Sequence, residues 1–101
     1  MILVNARCNV LPQRQADFIS EVQKIIPVVR KEAGCTRYEL LLDAHHPGIF
    51  HFIEEWESQG HLDDHLASPR MKEYFVKTAK WHSAPVELKI YEIHLSRSVT
   101  M

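Results

Sequence analysis

His61 and His65 stand four residues apart in a stretch patterned as a helix, so their side chains share one side of it. They lie beside the stripe of Leu62 and Leu66, at the border of the face a helix would bury. A histidine there can face a cavity and still exchange protons. Its ordinary pKa near 6.5 suits it to take a proton from a phenol or an enol at neutral pH. Paired histidines at this spacing also ligate zinc. The residues between them are Leu62, Asp63 and Asp64, so the glutamate of an HExxH motif is absent, and no third ligand is evident. No metal site is assigned on this basis. A packing or surface role for either histidine is the competing reading.

Glu54 is the second chemical candidate. By strand alternation it shares a face with Phe50, Phe52 and Trp56, and a carboxylate among those rings must be paired or perturbed. Trp56 and Tyr74 suit either the core or a cavity wall, and Met71 belongs to an apolar helix stripe nearby. The segment from Ile53 to Tyr74 is therefore the expected wall of a small-molecule pocket. His45, His46 and His51 fall in a hairpin and its turn and are expected to be exposed.

These residues need elements to hold them. Ile2 to Val10 alternates, with Ile2, Val4, Ala6, Cys8 and Val10 on one face and Leu3, Asn5, Arg7 and Asn9 on the other, which predicts a strand. Phe18, Val22, Ile25 and Val29 recur at helical spacing between Gln13 and Ala33, with Pro27 expected to kink that helix and Gly34 to end it. Strands are predicted over Thr36 to Asp43 and Ile49 to Glu57, joined by the turn Ala44 to Gly48. Ser58 is a suitable N-cap for the next helix, which Ser68-Pro69 interrupts and restarts. A fourth strand is predicted over Val86 to Leu95.

The order β-α-β-β-α-β is the split βαβ arrangement of ferredoxin-like α+β folds, with two helices on one face of a four-stranded antiparallel sheet. Ile49 and Ile53 oppose Phe50, Phe52 and Trp56 on the third strand, and Tyr91, Ile93 and Leu95 oppose Val86, Leu88 and Ile90 on the fourth. A sheet apolar on both faces needs two covers. A second copy of the same sheet is the simplest second cover, so a homodimer is expected.

Composition narrows the function classes. The 101 residues are 46% hydrophobic and 25% charged, with a formal net charge of −1, which is ordinary for one globular domain over 1–101. That balance gives no reason to expect a nucleic acid or an anionic membrane surface as partner. No apolar run is long enough to insert into a bilayer, and the start MILVNARCNV lacks the basic region and cleavage site of a signal peptide. Cys8 and Cys35 do not make a disulfide framework and are expected as buried thiols. The expected location is cytoplasmic. The three scattered glycines, Gly34, Gly48 and Gly60, write neither GxGxxG nor a P-loop, so no nucleotide or flavin cofactor of the usual kinds is expected.

The run Ile53-Glu54-Glu55-Trp56-Glu57-Ser58, then His61-Leu62, His65-Leu66 and Ser68-Pro69-Arg70-Met71-Lys72 with Tyr74, resembles the antibiotic biosynthesis monooxygenase (ABM) family, in particular its quinol-monooxygenase-type members. Ile26 to Cys35 is similar to their first helix and the turn after it. The resemblance spans nearly the whole chain and is weakest in the hairpin turn and at the C-terminus. It implies a homodimer of ferredoxin-like domains forming an α+β barrel. It also implies oxidation of a quinol or related hydroxyaromatic by molecular oxygen without metal, flavin or haem. An electron-rich hydroxyaromatic, once deprotonated, can itself give an electron to oxygen; the protein supplies a base, orientation and a dry cavity. The resemblance assigns His65 the base or orienting role, with His61, Glu54 and Tyr74 supporting and Trp56, Met71 and Phe52 meeting the substrate. Ala6 and Phe75 stand where haem-degrading relatives carry asparagine and histidine, which argues against haem. Two other readings fit such a chain. One is a cofactor-free isomerase of a small carbonyl compound or phosphosugar, with Arg70 and Lys72 as candidate basic residues. The other is a dimeric stress-response module that binds a small ligand without turning it over.

Overall fold

The alternation of the first nine residues becomes the central strand of the protein. In a computed structural model describing residues 1–101, Ile2, Val4, Ala6, Cys8 and Val10 are all buried. Ile2–Asn9 forms β1. It pairs antiparallel with β3 (Ile49–Trp56) on one side and with β4 (Glu87–Glu92) on the other. The hairpin partner of β3 is β2 (Cys35–Leu42), which gives the sheet order β2-β3-β1-β4. This is the expected ferredoxin-like α+β sheet, four antiparallel strands with helices on one face.

Three helices cover that face. Phe18, Val22, Ile25 and Val29 form the buried stripe of α1 (Gln15–Val29), which packs on the sheet. The helix does not run to Ala33 as its pattern suggested. Pro27 lies in the last turn, where its missing N–H removes a ladder bond and few others remain to carry the helix onward. The chain tightens instead: Lys31 N–H donates to Val28 O at 3.1 Å and Glu32 N–H to Val29 O at 2.9 Å. That turn decides where Glu32 points.

The second covering layer is divided, as Ser68-Pro69 suggested, into α2 (Gln59–Ala67) and α3 (Pro69–Thr78). Ser58 Oγ accepts the His61 N–H at 3.2 Å and Ser68 Oγ accepts the Met71 N–H at 3.2 Å, so each helix has a side-chain cap. The restart lets α2 present Leu62 and His65 to the core, and α3 present Met71, Tyr74 and Thr78.

β4 is shorter than the predicted Val86 to Leu95. Its ladder follows β1 only as far as Glu92, after which Ile93 N–H donates to Met1 O at 2.8 Å and β1 has ended. Leu88 and Ile90 pair with Ala6 and Val4 and so face the helix side, yet remain 41% and 47% exposed. The other face of the sheet mixes half-buried Leu3, Ile49 and Ile53 with Arg37, which pairs with Glu39 at 3.1 Å and Glu55 at 3.3 Å. His51 also lies on that face. It is not the exposed turn histidine expected: its side chain is 21% exposed and its Nδ1 lies 3.0 Å from Asn5 Oδ1. No helix is long and apolar enough to cross a membrane.

Candidate functional site

A cavity of about 540 Å³ lies on the helix side of the sheet, within the usual size of a small-molecule site. β3 contributes Phe52 and Glu54; β1, Ala6 and Cys8; β2, Tyr38. Met71, Tyr74, Phe75 and Thr78 come from α3, His65 and Leu66 from α2. His82 to Val86 and Leu88 complete it. Most of these side chains are apolar, and no lysine or arginine lines it.

Against that wall Glu54 is 5% exposed. Its one side-chain hydrogen bond comes from the Trp56 indole, whose Nε1–H donates to Oε1 at 3.0 Å. Burial pushes the Glu54 carboxyl up to about 7; the indole bond opposes the rise and the negative charge of Glu32 adds to it. A carboxyl group poised there can hold or accept a proton at neutral pH.

His65 is 1% exposed and lies between two carboxyl groups. Its Nδ1 stands 3.1 and 3.2 Å from the two Glu32 oxygens, and its Nε2 stands 3.9 Å from Glu54 Oε1. Burial lowers the His65 pKa, with the Glu32 charge pulling the other way. Burial thus favours the neutral ring, and the geometry sets Glu32 to accept from an Nδ1–H while Nε2 faces Glu54. Trp56 and Tyr38 hold the ring in place, at centroid distances of 4.6 and 5.6 Å.

The remaining polar groups of the cavity are kept neutral. Burial and the Glu54 charge push the Cys8 thiol up to about 12, which leaves it a poor nucleophile. The Tyr38 and Tyr74 hydroxyls are raised by burial first and by nearby acidic groups second. His82 is lowered by burial, and its buried Nδ1 has no hydrogen-bond partner. No cluster of three or more His, Cys, Asp or Glu side chains is arranged to hold a metal ion.

The structure thus brings together His65, Glu54, Phe52, Met71 and Tyr74 around one cavity and leaves two other candidates outside. His61 does not line the cavity: its Nδ1 lies 2.7 Å from Ser58 Oγ and its ring packs over Gly34. Trp56 is fully buried behind Glu54 and acts on the cavity through that carboxyl, not by meeting its space. Arg70 also lies outside, on a separate charged surface depression with Glu21, Lys24 and Lys77.

Sequence reasoning missed Glu32, Tyr38, Cys8 and His82 as site residues. For Tyr38 and Cys8 the strand period held the signal, since both fall on the buried face of their strands. Glu32 and His82 lie outside regular helix and strand, where no period marks them.

An acid–histidine couple inside an apolar cavity of this fold can be set beside known proteins. The family model for antibiotic biosynthesis monooxygenase matches residues 1–77. The chain belongs to the ABM family. The match takes in β1 through most of α3, and so every residue of the couple; β4 lies beyond it. Among curated ABM-like relatives, the Escherichia coli K12 protein named probable quinol monooxygenase YgiN is 36% identical over 85 residues, covering 73% of this chain and 81% of its own. The Synechocystis protein sll1783 is 33% identical over 92 residues, covering 91% of this chain. The chain spans 63% of that relative's length. A solved structure of a conserved protein from Methanosarcina mazei Go1 superposes with a TM-score of 0.86 at 31% identity, covering 89% of each chain. Of these three relatives, the Escherichia coli protein is the one whose name states a monooxygenase activity.

Proposed function

We propose that this protein oxidises a quinol or related hydroxyaromatic with molecular oxygen, using no metal, flavin or haem. The observation that carries the reading is the placement of Glu54 and His65 side by side on the lining of one mostly apolar cavity. The relative named as a quinol monooxygenase supports the substrate class.

In this reading the ring of the substrate lies against Phe52, Met71 and Tyr74, with one hydroxyl directed at Glu54. Glu54 takes the hydroxyl proton, assisted by His65. The electron-rich anion then reduces oxygen directly in a space that excludes water. One oxygen atom enters the ring and the other leaves as water, so quinol plus oxygen gives hydroxyquinone plus water. His82 offers a polar nitrogen for a second ring oxygen, because its buried Nδ1 has no partner within the protein. The half-covered outer face, with Leu3, Ile49, Ile53 and exposed Tyr91, is read as the surface that a second copy covers, giving a homodimer.

Oxygen uptake across a quinol panel, with ¹⁸O₂ and mass analysis of the product, tests the reaction. Support is saturable uptake with one ¹⁸O in the product and loss of rate in Glu54→Gln and His65→Ala. Uptake that yields only hydrogen peroxide and unhydroxylated quinone, or no uptake above the uncatalysed rate, overturns it.

A further inference from the structure

The first carboxylate at His65 is not the one in the cavity. Glu32, in the turn after α1, places both oxygens within 3.2 Å of His65 Nδ1, and its side chain is 26% exposed. On the other side of the ring, Glu54 Oε1 stands 3.9 Å from Nε2 with its side chain 7% exposed and facing the cavity. The imidazole itself is 1% exposed, with one carboxyl group beside each ring nitrogen. Ring nitrogens bonded to backbone carbonyls would mark a histidine used for packing. Here each nitrogen faces a carboxyl group, one at the surface and one inside.

We propose that Glu54, His65 and Glu32 form a proton relay from the cavity to solvent, in which Glu32 is the outer station and holds the His65 tautomer. The use of this relay in turnover rests on the quinol reading above; its existence does not.

A bound hydroxyl gives its proton to Glu54. Glu54 passes a proton to His65 Nε2 while the ring gives its Nδ1 proton to Glu32, and no electron moves along the path. The 3.9 Å gap at Nε2 must close by about 1 Å to reach hydrogen-bond length before the proton passes. The ring is left protonated on Nε2. A proton returning by the same path, when oxygen is reduced to water, restores the Nδ1–H form. That return matches an overall reaction that releases no net proton.

The surroundings favour this path over others. The titratable groups packed around the pair are Cys8 from β1, Tyr38 and Cys35 from β2 and Tyr74 from α3. All four are raised, so none serves as a proton acceptor near pH 7. The nearby cation Arg30 is engaged by the Tyr38 carbonyl, to which its Nε donates at 3.1 Å. Glu32 is thus the acceptor joined to His65 and open to water.

The test uses the whole protein with ¹⁵N-labelled histidine. Imidazole nitrogen shifts across pH 5 to 9 report the His65 tautomer and its titration in wild type, Glu32→Gln and Glu32→Asp. The expected result is an Nδ1–H tautomer in wild type, and a His65 titration at least about 1 pH unit lower in Glu32→Gln. Glu32→Asp, which keeps the charge, restores most of it. An unchanged His65 titration in Glu32→Gln, or an Nε2–H tautomer in wild type, overturns the relay whether or not the protein oxidises quinols. With a quinol, Glu32→Gln lowers kcat about tenfold or more with little change in KM, and Glu32→Asp recovers it. Normal kcat in Glu32→Gln while wild type turns over overturns the relay and leaves the quinol reading intact. Absence of turnover in wild type removes the quinol reading, and the nitrogen shifts alone then decide the relay.

Discussion

Trp56 Nε1–H donates to Glu54 Oε1 at 3.0 Å, from a position two residues further along the same buried strand face. The bond joins the largest fully buried side chain to a carboxyl group on the cavity wall. It is the one side-chain hydrogen bond that favours the charged form of Glu54. Trp56→Phe keeps most of the ring and removes the donor. The Glu54 carboxyl is then expected to titrate above about 7, visible in its ¹³C shift, with a stability loss of roughly 1–3 kcal/mol in denaturant unfolding. A Glu54 titration that stays in place would show that the indole has no hold on it.

His65→Ala removes the nitrogen facing Glu54 and opens a hole between Trp56 and Tyr38. Loss of a positioned acid–base group lowers quinol-dependent oxygen uptake by about 10²–10⁴-fold. Loss of buried volume costs about 2–4 kcal/mol, read from chemical denaturation. His65→Gln, which fills more of the space, is expected to recover stability without recovering the rate. The folded His65 pKa lies below its unfolded value, so the unfolded chain binds the extra proton and stability attributable to His65 falls as pH drops through about 6.5.

His82→Phe tests the far side of the cavity. The substitution removes the unpartnered Nδ1 but keeps a ring near Phe18, whose centroid lies 5.8 Å away. Substrates with two ring oxygens should show a raised KM, by about 5–10-fold for one lost hydrogen bond, while substrates with one oxygen change little. Equal effects on both classes would mean that His82 does not read the second oxygen.

Gly34 sits at φ +80°, in the left-handed region where a side chain is strained, and a Cβ there would run into the His61 ring. Gly34→Ala is therefore expected to destabilise by roughly 1–3 kcal/mol. The double variant Gly34→Ala/His61→Ala removes the ring part of the clash and leaves the backbone strain together with the contact to the remaining Cβ at position 61, 2.7 Å away. His61→Ala alone should leave oxygen uptake close to wild type, because His61 does not line the cavity. A large loss of rate in that variant would return it to the site.

How far the sequence reaches depends on the range of each interaction. β1 was legible because its period of two is set by its own Cβ directions, and all five inward residues are buried. The break between α2 and α3 was legible because Ser68-Pro69 acts within a few residues. His65 and Glu54 were legible as candidates, since each sits at a defined phase of a regular element. Their couple with Glu32 was not: it spans 33 residues of sequence and depends on how the chain turns after Pro27. His61 misled for a related reason. Its helix phase resembles that of His65, but it lies one turn earlier, at the start of α2, where its ring meets Gly34 and Ser58 instead of the cavity.

Glu54 itself provides the clearest pH signature. Its folded pKa, about 7, lies above the ordinary carboxylate value of 4.5 because burial penalises the charge. The folded protein therefore holds this proton more tightly than the unfolded chain does. Its contribution is fully present below about pH 4.5 and is lost as pH rises through 7. Glu54→Gln mimics the protonated form at all pH values and keeps an acceptor for the Trp56 indole. Relative to wild type it should be near neutral at pH 4 and more stable by roughly 3 kcal/mol at pH 8.5. Paired urea titrations at these two values measure the difference. A gap that does not widen with pH would mean that the Glu54 carboxylate is solvated or paired in the folded protein, and with that the site would lose its internal base.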